Sequence, residues 1–94
     1  MQYFIFRQDK PGTLELRMKT RPAHLKYAEQ LGDKLVFAGP GMDDNDNMIA
    51  SVWVVEAKDR AEAEAITESD PFELVGLFEN KIVHKFRRTA GTGY

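Results

Sequence analysis

The chain contains no cysteine among its 94 residues. This absence excludes disulfide bonds, thiolate nucleophiles and cysteine-ligated zinc or iron–sulfur sites together. No apolar run approaches the ~18–20 residues of a membrane-spanning helix, and the amino terminus lacks the order of segments that defines a signal peptide. We therefore expect a cytoplasmic protein with no membrane contact, whose chemistry uses histidine, carboxylates or hydroxyls.

The chain also has no excess of positive charge. Thirteen Lys and Arg against fifteen Asp and Glu give a net charge of −2, which argues against a nucleic-acid partner. No phosphate-binding glycine loop or nucleotide fingerprint is present, so no cofactor is predicted. Two histidines are a weak metal signal, and the acidic stretch 43–47 lacks the glycine and distal glutamate of a calcium loop. We interpret that stretch as a solvated hairpin loop and predict no metal site.

Apolar residues, by contrast, are plentiful. They make up 43% of the chain, with six Phe, three Tyr and one Trp. This supply is enough for a folded core, and the length allows one domain, residues 1–94.

Hydrophobic patterning predicts four strands and two main helices. The predicted strands are 2–7, 34–38, 48–56 and 81–87, the helices are 22–31 and 60–68, and Asp70 caps a further short helix. Gly32 is the predicted carboxyl-terminal cap of the first helix, and the tail 89–94 is predicted to be irregular. This order is the ferredoxin-like βαββαβ arrangement, an α+β fold with both helices on one face of a four-stranded antiparallel sheet.

The predicted strands are apolar on both faces. Tyr3 and Ile5 alternate with Phe4 and Phe6, although helices can cover only one side of the sheet. A monomer would expose a large apolar patch, so we expect a homodimer in which a second copy covers it.

One histidine falls on the inward side of the first predicted helix. At about 100° per residue, His24 lies near the centre of an arc with Leu25, Tyr27, Ala28 and Leu31. A buried imidazole needs a hydrogen-bond partner. Asp70 is the best acidic candidate, whereas the alternatives are a histidine bonded to a backbone carbonyl and an aspartate that is only a helix cap.

Two arginines precede this histidine. Arg17 and Arg21 lie four residues apart, so on a helix they share a face and could bind a substrate carboxylate. A solvated basic face is the better interpretation for Arg17, and Arg21 is the better substrate-binding candidate because it adjoins His24. His84 falls on the Ile82 side of the last strand and is interpreted as a surface or interface residue.

Short motifs occur in a specific order along nearly the whole chain. They are Gln8-Asp9-Lys10, Leu14-Glu15, Arg17, Arg21-Pro22-Ala23-His24-Leu25, Phe37-Ala38-Gly39-Pro40 and Asp70-Pro71-Phe72 with Gly76. Together they resemble the YciI-like (YCII-related) family.

The resemblance implies a dimeric α/β-barrel protein with an active-site pair at His24 and Asp70. It also implies a serine near the pocket, which Ser51 matches. Family members often have glycine before that serine, so Ala50 predicts a tighter pocket wall. The best-known chemistry of the family is hydrogen-halide elimination from a chlorinated lactone.

Two functions from different classes are therefore predicted. The first is a small enzyme of lyase or isomerase type that acts on a small anionic metabolite bearing a carboxylate or lactone, in which His24 moves a proton, Asp70 orients it, and Arg21, Arg17 and Ser51 bind substrate. The alternative is a non-catalytic ligand-binding or sensory module. A water-accessible His24 favours the enzyme, and a His24 sealed in the packing favours the module.

Overall fold

The computed structural model describes residues 1–92 and confirms the βαββαβ order. The elements are β1 (Gln2–Asp9), α1 (Leu14–Gln30), a single 3₁₀ turn (Gly32–Lys34), β2 (Leu35–Met42), β3 (Met48–Glu56), α2 (Arg60–Glu68), α3 (Pro71–Leu74) and β4 (Phe78–Phe86). Residues 89–92 are irregular, as predicted, whereas Arg87 lies just outside β4 and not in it as predicted; the prediction for residues 93 and 94 lies outside the described residues.

The four strands form one antiparallel sheet in the order β2-β3-β1-β4. Alternation along β1 buries its odd-numbered side chains and leaves Phe4 and Phe6 half-buried on the opposite face. The core joins the buried face of the sheet to the helices. Its buried members are Tyr3, Ile5, Trp53, Val55, Ala57, Ala63, Ile66 and Val83.

Helix α1 is longer than its sequence pattern predicted. It begins at Leu14, eight residues before Pro22, which lies inside the helix. Proline removes one intrahelical hydrogen bond in such a position, and the prediction of a helix starting at Pro22 was wrong because packing of the flanking turns outweighs that loss. The predicted end is confirmed, since Gly32 follows the helix with a φ of 56°.

Strand β2 is also longer than predicted. It continues through Gly39, Pro40 and Gly41 to Met42, and Pro40 lies opposite Ser51 of β3. Because β2 is an edge strand, a residue without an N–H group is tolerated there.

The two short helices begin at aspartate caps. Asp59 accepts a hydrogen bond from the Glu62 backbone N–H, and Asp70 accepts one from the Phe72 backbone N–H. Helix α3 packs against α1, which directs the Asp70 cap towards the inward side of α1. None of the helices within residues 1–92 is long and apolar enough to cross a bilayer.

Candidate active site

His24 and Asp70 meet where α1 packs against α3. The His24 Nδ1 atom lies 2.8 Å and 3.0 Å from the two Asp70 carboxylate oxygens. The imidazole is stacked on the Phe72 ring with centroids 3.9 Å apart, and the Trp53 ring lies 5.5 Å away. A carboxylate only accepts hydrogen bonds, so Nδ1 carries the hydrogen and donates it. This arrangement leaves Nε2 as the nitrogen that can exchange a proton with a ligand.

Asp70 is fully buried and has three kinds of partner. Besides His24, it accepts from the Phe72 backbone N–H at 3.0 Å and pairs with Arg7, whose Nη2 lies 2.9 Å from Oδ2. Burial raises the pKa of Asp70, but the hydrogen bond from His24 and the charge of Arg7 outweigh burial and lower that pKa below its ordinary value. The carboxylate is therefore ionised at neutral pH and held in one orientation.

Arg7 is a site residue that the sequence analysis missed. It is fully buried on β1, lies between the Trp53 and Phe78 rings, and pairs with Glu73 at 3.0 Å as well as with Asp70. The alternation along β1 was an available signal, because a strand that turns Ile5 inward also turns Arg7 inward. A buried arginine requires a carboxylate partner, but the strand does not indicate which one.

The Glu73 carboxylate extends this network towards the surface. Lys81 Nζ lies 3.2 Å from the Glu73 Oε1 atom and donates to Thr67 Oγ1 at 3.1 Å. Charges of opposite sign thus alternate from Asp70 through Arg7 and Glu73 to Lys81.

A second buried network joins three elements beside the first. Arg17 of α1 donates to both Asp9 carboxylate oxygens, at 2.7 Å and 2.9 Å, and to Ser51 Oγ at 2.9 Å. The Arg17 guanidinium also lies over the Phe72 ring that stacks on His24. All three networked side chains are buried.

These contacts correct the predicted face of α1. The two buried residues of the helix are Arg17 and His24, whereas Leu25 is 46% exposed. Tyr27, Ala28 and Leu31 pack against the core as predicted, and Arg17 and His24 are buried beside them because Asp9 and Asp70 supply their partners. The interpretation of Arg17 as a solvated basic residue was therefore wrong.

A cavity of about 200 Å³ opens beside both networks. Four of the five predicted site residues line this cavity, namely Arg17, Arg21, His24 and Ser51. Asp70 is not in the lining but contacts His24. The other lining residues are Leu25, Ala28, Ala38, Gly39, Pro40, Met48 and Trp53. Arg21 is half-buried, and no side chain within residues 1–92 pairs with its guanidinium. Ala50 does not line this cavity but faces Gly41, so the predicted tightening of the wall is not found.

Other candidate regions lack this convergence. A wider depression of about 450 Å³ lies beside Lys10, Asp43 and Glu79 and contains neither His24 nor Asp70. In the 43–47 loop, Asp43 accepts hydrogen bonds from the backbone N–H groups of Asn45 and Asn47. These bonds explain the acidic stretch as a hydrogen-bonded turn. His84 is exposed on the sheet face away from the helices. The described part of the chain contains no cluster of three or more His, Asp or Glu side chains arranged to hold a metal.

Fold and site together define an α+β ferredoxin-like protein with a buried histidine–carboxylate pair beside a small cavity. The family model of the YCII-related domain matches residues 1–87, and the chain belongs to this family. It is 34% identical to Protein YciI of Escherichia coli O6:H1, over 94% of this chain and 98% of the relative. An uncharacterized protein of Haemophilus influenzae is 31% identical over the same shares.

Solved structures give two further comparisons. The 5-chloro-2-hydroxyhydroquinone dehydrochlorinase TftG of Burkholderia phenoliruptrix AC1100, in complex with 2,5-dihydroxybenzoquinone, is similar with a TM-score of 0.87 and 34% identity, covering 95% of this chain and 96% of that one. SnoaB, a cofactor-independent oxygenase of Streptomyces nogalater, has a TM-score of 0.59 at 14% identity over 94% of each chain. The second likeness concerns the fold alone.

Proposed function

We propose that this protein is a small-molecule enzyme that catalyses elimination or isomerisation on an anionic substrate, with His24 as the proton-transfer group. One observation carries the proposal: the His24 imidazole lines a cavity while its Nδ1 atom is held by the ionised Asp70. An imidazole changes charge near neutral pH and is suited to moving protons there. The Asp70 charge stabilises the imidazolium that forms when His24 accepts a proton.

The elimination step uses one base and one leaving group. On the hydroxylated ring, His24 Nε2 takes a hydroxyl proton and returns it to the chlorine-bearing carbon; it then takes a second hydroxyl proton, and the electrons of that O–H bond form a carbonyl as the ring electrons shift and chloride leaves with the electrons of the carbon–chlorine bond. On a chlorinated lactone, His24 Nε2 takes a proton from the carbon next to the carbon–chlorine bond, the electrons of that C–H bond form the new double bond, and chloride leaves. Isomerisation uses the same first step and returns the proton to another carbon. Either reaction needs no redox partner, and both begin with proton abstraction by His24.

The substrate class follows from the lining of the cavity and from one relative. Arg21 supplies an unpaired positive charge for a carboxylate, phenolate or enolate oxygen. Trp53 supplies an aromatic wall, and the cavity volume of about 200 Å³ suits a small ligand. Because TftG is a dehydrochlorinase of a chlorinated hydroxyhydroquinone, that compound is the first substrate to test, followed by chlorinated lactones.

Chloride release tests the proposed reaction. We expect the wild-type protein to release chloride from 5-chloro-2-hydroxyhydroquinone faster than the uncatalysed reaction does. Arg21→Ala should raise KM more than it lowers kcat, because the Arg21 guanidinium would bind the substrate anion equally well in the ground state and in the transition state. Lys26→Ala, on the exposed side of α1, is the matched control and should leave both constants unchanged.

A ligand-binding module is the alternative that this assay separates. Binding of 5-chloro-2-hydroxyhydroquinone without chloride release or isomerisation would favour the module. His24 is only 8% exposed, yet it lines the cavity. This contact favours the enzyme, because a recognition module does not need a proton-transfer group at the ligand.

A further inference from the structure

Ser51 is held at the cavity wall by a buried ion pair. Its Oγ atom accepts a hydrogen bond from Arg17 Nη2 at 2.9 Å, and Arg17 is fixed in turn by two hydrogen bonds to Asp9. The three residues belong to β3, α1 and β1, and each is more than nine-tenths buried. A guanidinium only donates hydrogen bonds, so the direction of the Arg17 contact with Ser51 is fixed.

This direction leaves the Ser51 hydroxyl hydrogen available. A serine hydroxyl has one hydrogen to donate and lone pairs that accept. No oxygen within residues 1–92 accepts that hydrogen, and Ser51 lines the cavity beside His24 and Arg21. A buried donor of this kind is satisfied only by a group inside the cavity.

We propose that the Asp9–Arg17 pair positions Ser51 as a hydrogen-bond donor to a negatively charged oxygen of the ligand. The proposal rests on the function given above and adds the recognition step. Arg17 polarises the Ser51 hydroxyl through Oγ, which makes that hydroxyl a better donor. The ligand class is therefore a small molecule with a deprotonated oxygen, such as an enolate, phenolate or carboxylate, that reaches Ser51 while its other end faces Arg21.

The same geometry gives Arg17 a positioning role. Asp9 occupies both Nε and Nη2 of its guanidinium, and the carboxylate offsets its charge. A forked contact between Arg17 and the ligand would require breaking this pair. Arg17 therefore cannot make a forked contact with the ligand while it holds Asp9, and we assign it a positioning role through Ser51, although it also lines the cavity.

Binding of 2,5-dihydroxybenzoquinone, followed by calorimetry, tests the donor. Ser51→Ala should weaken the affinity about tenfold to a hundredfold, the usual loss of a hydrogen bond to a charged group. Ser51→Cys keeps the shape of the side chain with a slightly larger atom and offers only a weak donor, so its affinity should fall nearly as far. Thr89→Ala removes an exposed hydroxyl elsewhere and should bind as the wild type does. Wild-type affinity in Ser51→Cys, or no binding to the wild type at millimolar probe, overturns the proposal.

A double-mutant cycle tests the positioning role. Arg17→Lys keeps one positive charge but cannot bond Asp9 twice and Ser51 once, so it should weaken binding to the level of Ser51→Ala. In the Ser51→Ala background, Arg17→Lys should change affinity less than about twofold. Losses that multiply would overturn the proposal, because they would show that Arg17 contacts the ligand directly.

The two proposals fail separately. Turnover of His24 variants decides the proposed reaction, and binding by Ser51 variants decides the donor. Should Arg17→Lys fail to fold by circular dichroism, Ser51→Cys decides the donor alone.

Discussion

Arg7 is the residue whose substitution we expect to destabilise the protein most. It is fully buried between two aromatic rings and pairs with Asp70 and Glu73. Arg7→Met keeps much of the side-chain length but leaves a buried carboxylate without its cation. Removing one partner of a buried pair costs about 3–5 kcal/mol, and we expect a loss of this size in urea unfolding.

The matched control is Arg87→Met at an exposed position. It should change the free energy of unfolding by no more than about 0.5 kcal/mol. Equal stability of Arg7→Met and the wild type would contradict the assigned ion pairs.

The lowered pKa of Asp70 should make the folded protein less stable at acidic pH. Its pKa is lowered in the folded protein, so on acidification the unfolded chain binds this proton first, near the ordinary value of about 3.9. The stabilisation is therefore complete above about pH 5 and is lost as the pH falls from about 4 towards the folded-state pKa.

Asp70→Asn isolates this contribution, since asparagine caps a helix nearly as well as aspartate. The wild type should be more stable than the variant at pH 7, and the difference should shrink below about pH 4. Urea unfolding of both proteins across pH 3–7 measures it. A difference that stays constant across that range would rule out a lowered Asp70 pKa.

The candidate site was only partly predictable from individual residues. The helical wheel placed His24 inward because Leu25, Tyr27, Ala28 and Leu31 are apolar; His24 is buried and the last three are half-buried, whereas Leu25 is exposed. The burial of Arg17 was not predictable, since it depends on Asp9 in another element. A pattern along one helix describes which side faces inward, but the partner of a buried charge is set by the tertiary contacts.

At the scale of secondary structure, Pro22 is unfavourable to the helix that contains it. It is exposed inside α1, where proline cannot donate the hydrogen bond to the preceding turn and costs up to about 3 kcal/mol relative to alanine. Proline also restricts the unfolded chain, which offsets part of this cost. We expect Pro22→Ala to raise the free energy of unfolding by about 1–2 kcal/mol in thermal or urea unfolding. A decrease would show that the proline is matched to the local helix geometry.

Element order was predictable, whereas the boundaries of α1, β2 and β4 were not; β4 begins at Phe78, three residues before its predicted start. Proline and glycine predicted a helix start at Pro22 and a strand end before Gly39, yet α1 and β2 pass through both positions. In β2 the edge position tolerates Pro40, and β3 supplies the pairing that maintains the strand. In both α1 and β2, tertiary contacts therefore outweigh the local preferences of proline and glycine.

At the scale of the whole molecule, the sheet face away from the helices predicts association. Phe37 and Ile82 are each 44% exposed there, and Phe4 and Phe6 are half-buried. We propose that a second copy of the chain covers this face and that the protein is a homodimer. Sedimentation at micromolar concentration should give twice the monomer mass.

Ile82→Lys should shift this equilibrium towards monomer, because it places a charge in the proposed interface. Leu74→Lys, at a 72% exposed position on α3, is the control and should remain dimeric. A monodisperse wild-type monomer would contradict the dimer.

That His24 moves the substrate proton is best tested by the turnover of His24→Ala. With chloride release from 5-chloro-2-hydroxyhydroquinone as the assay, we expect kcat to fall about 10²–10⁴-fold, the usual contribution of a positioned general acid or base. Binding of the ring compound should fall much less, and circular dichroism should match the wild type. Full turnover by a correctly folded His24→Ala would contradict this claim and leave a ligand-binding site in place of an active site.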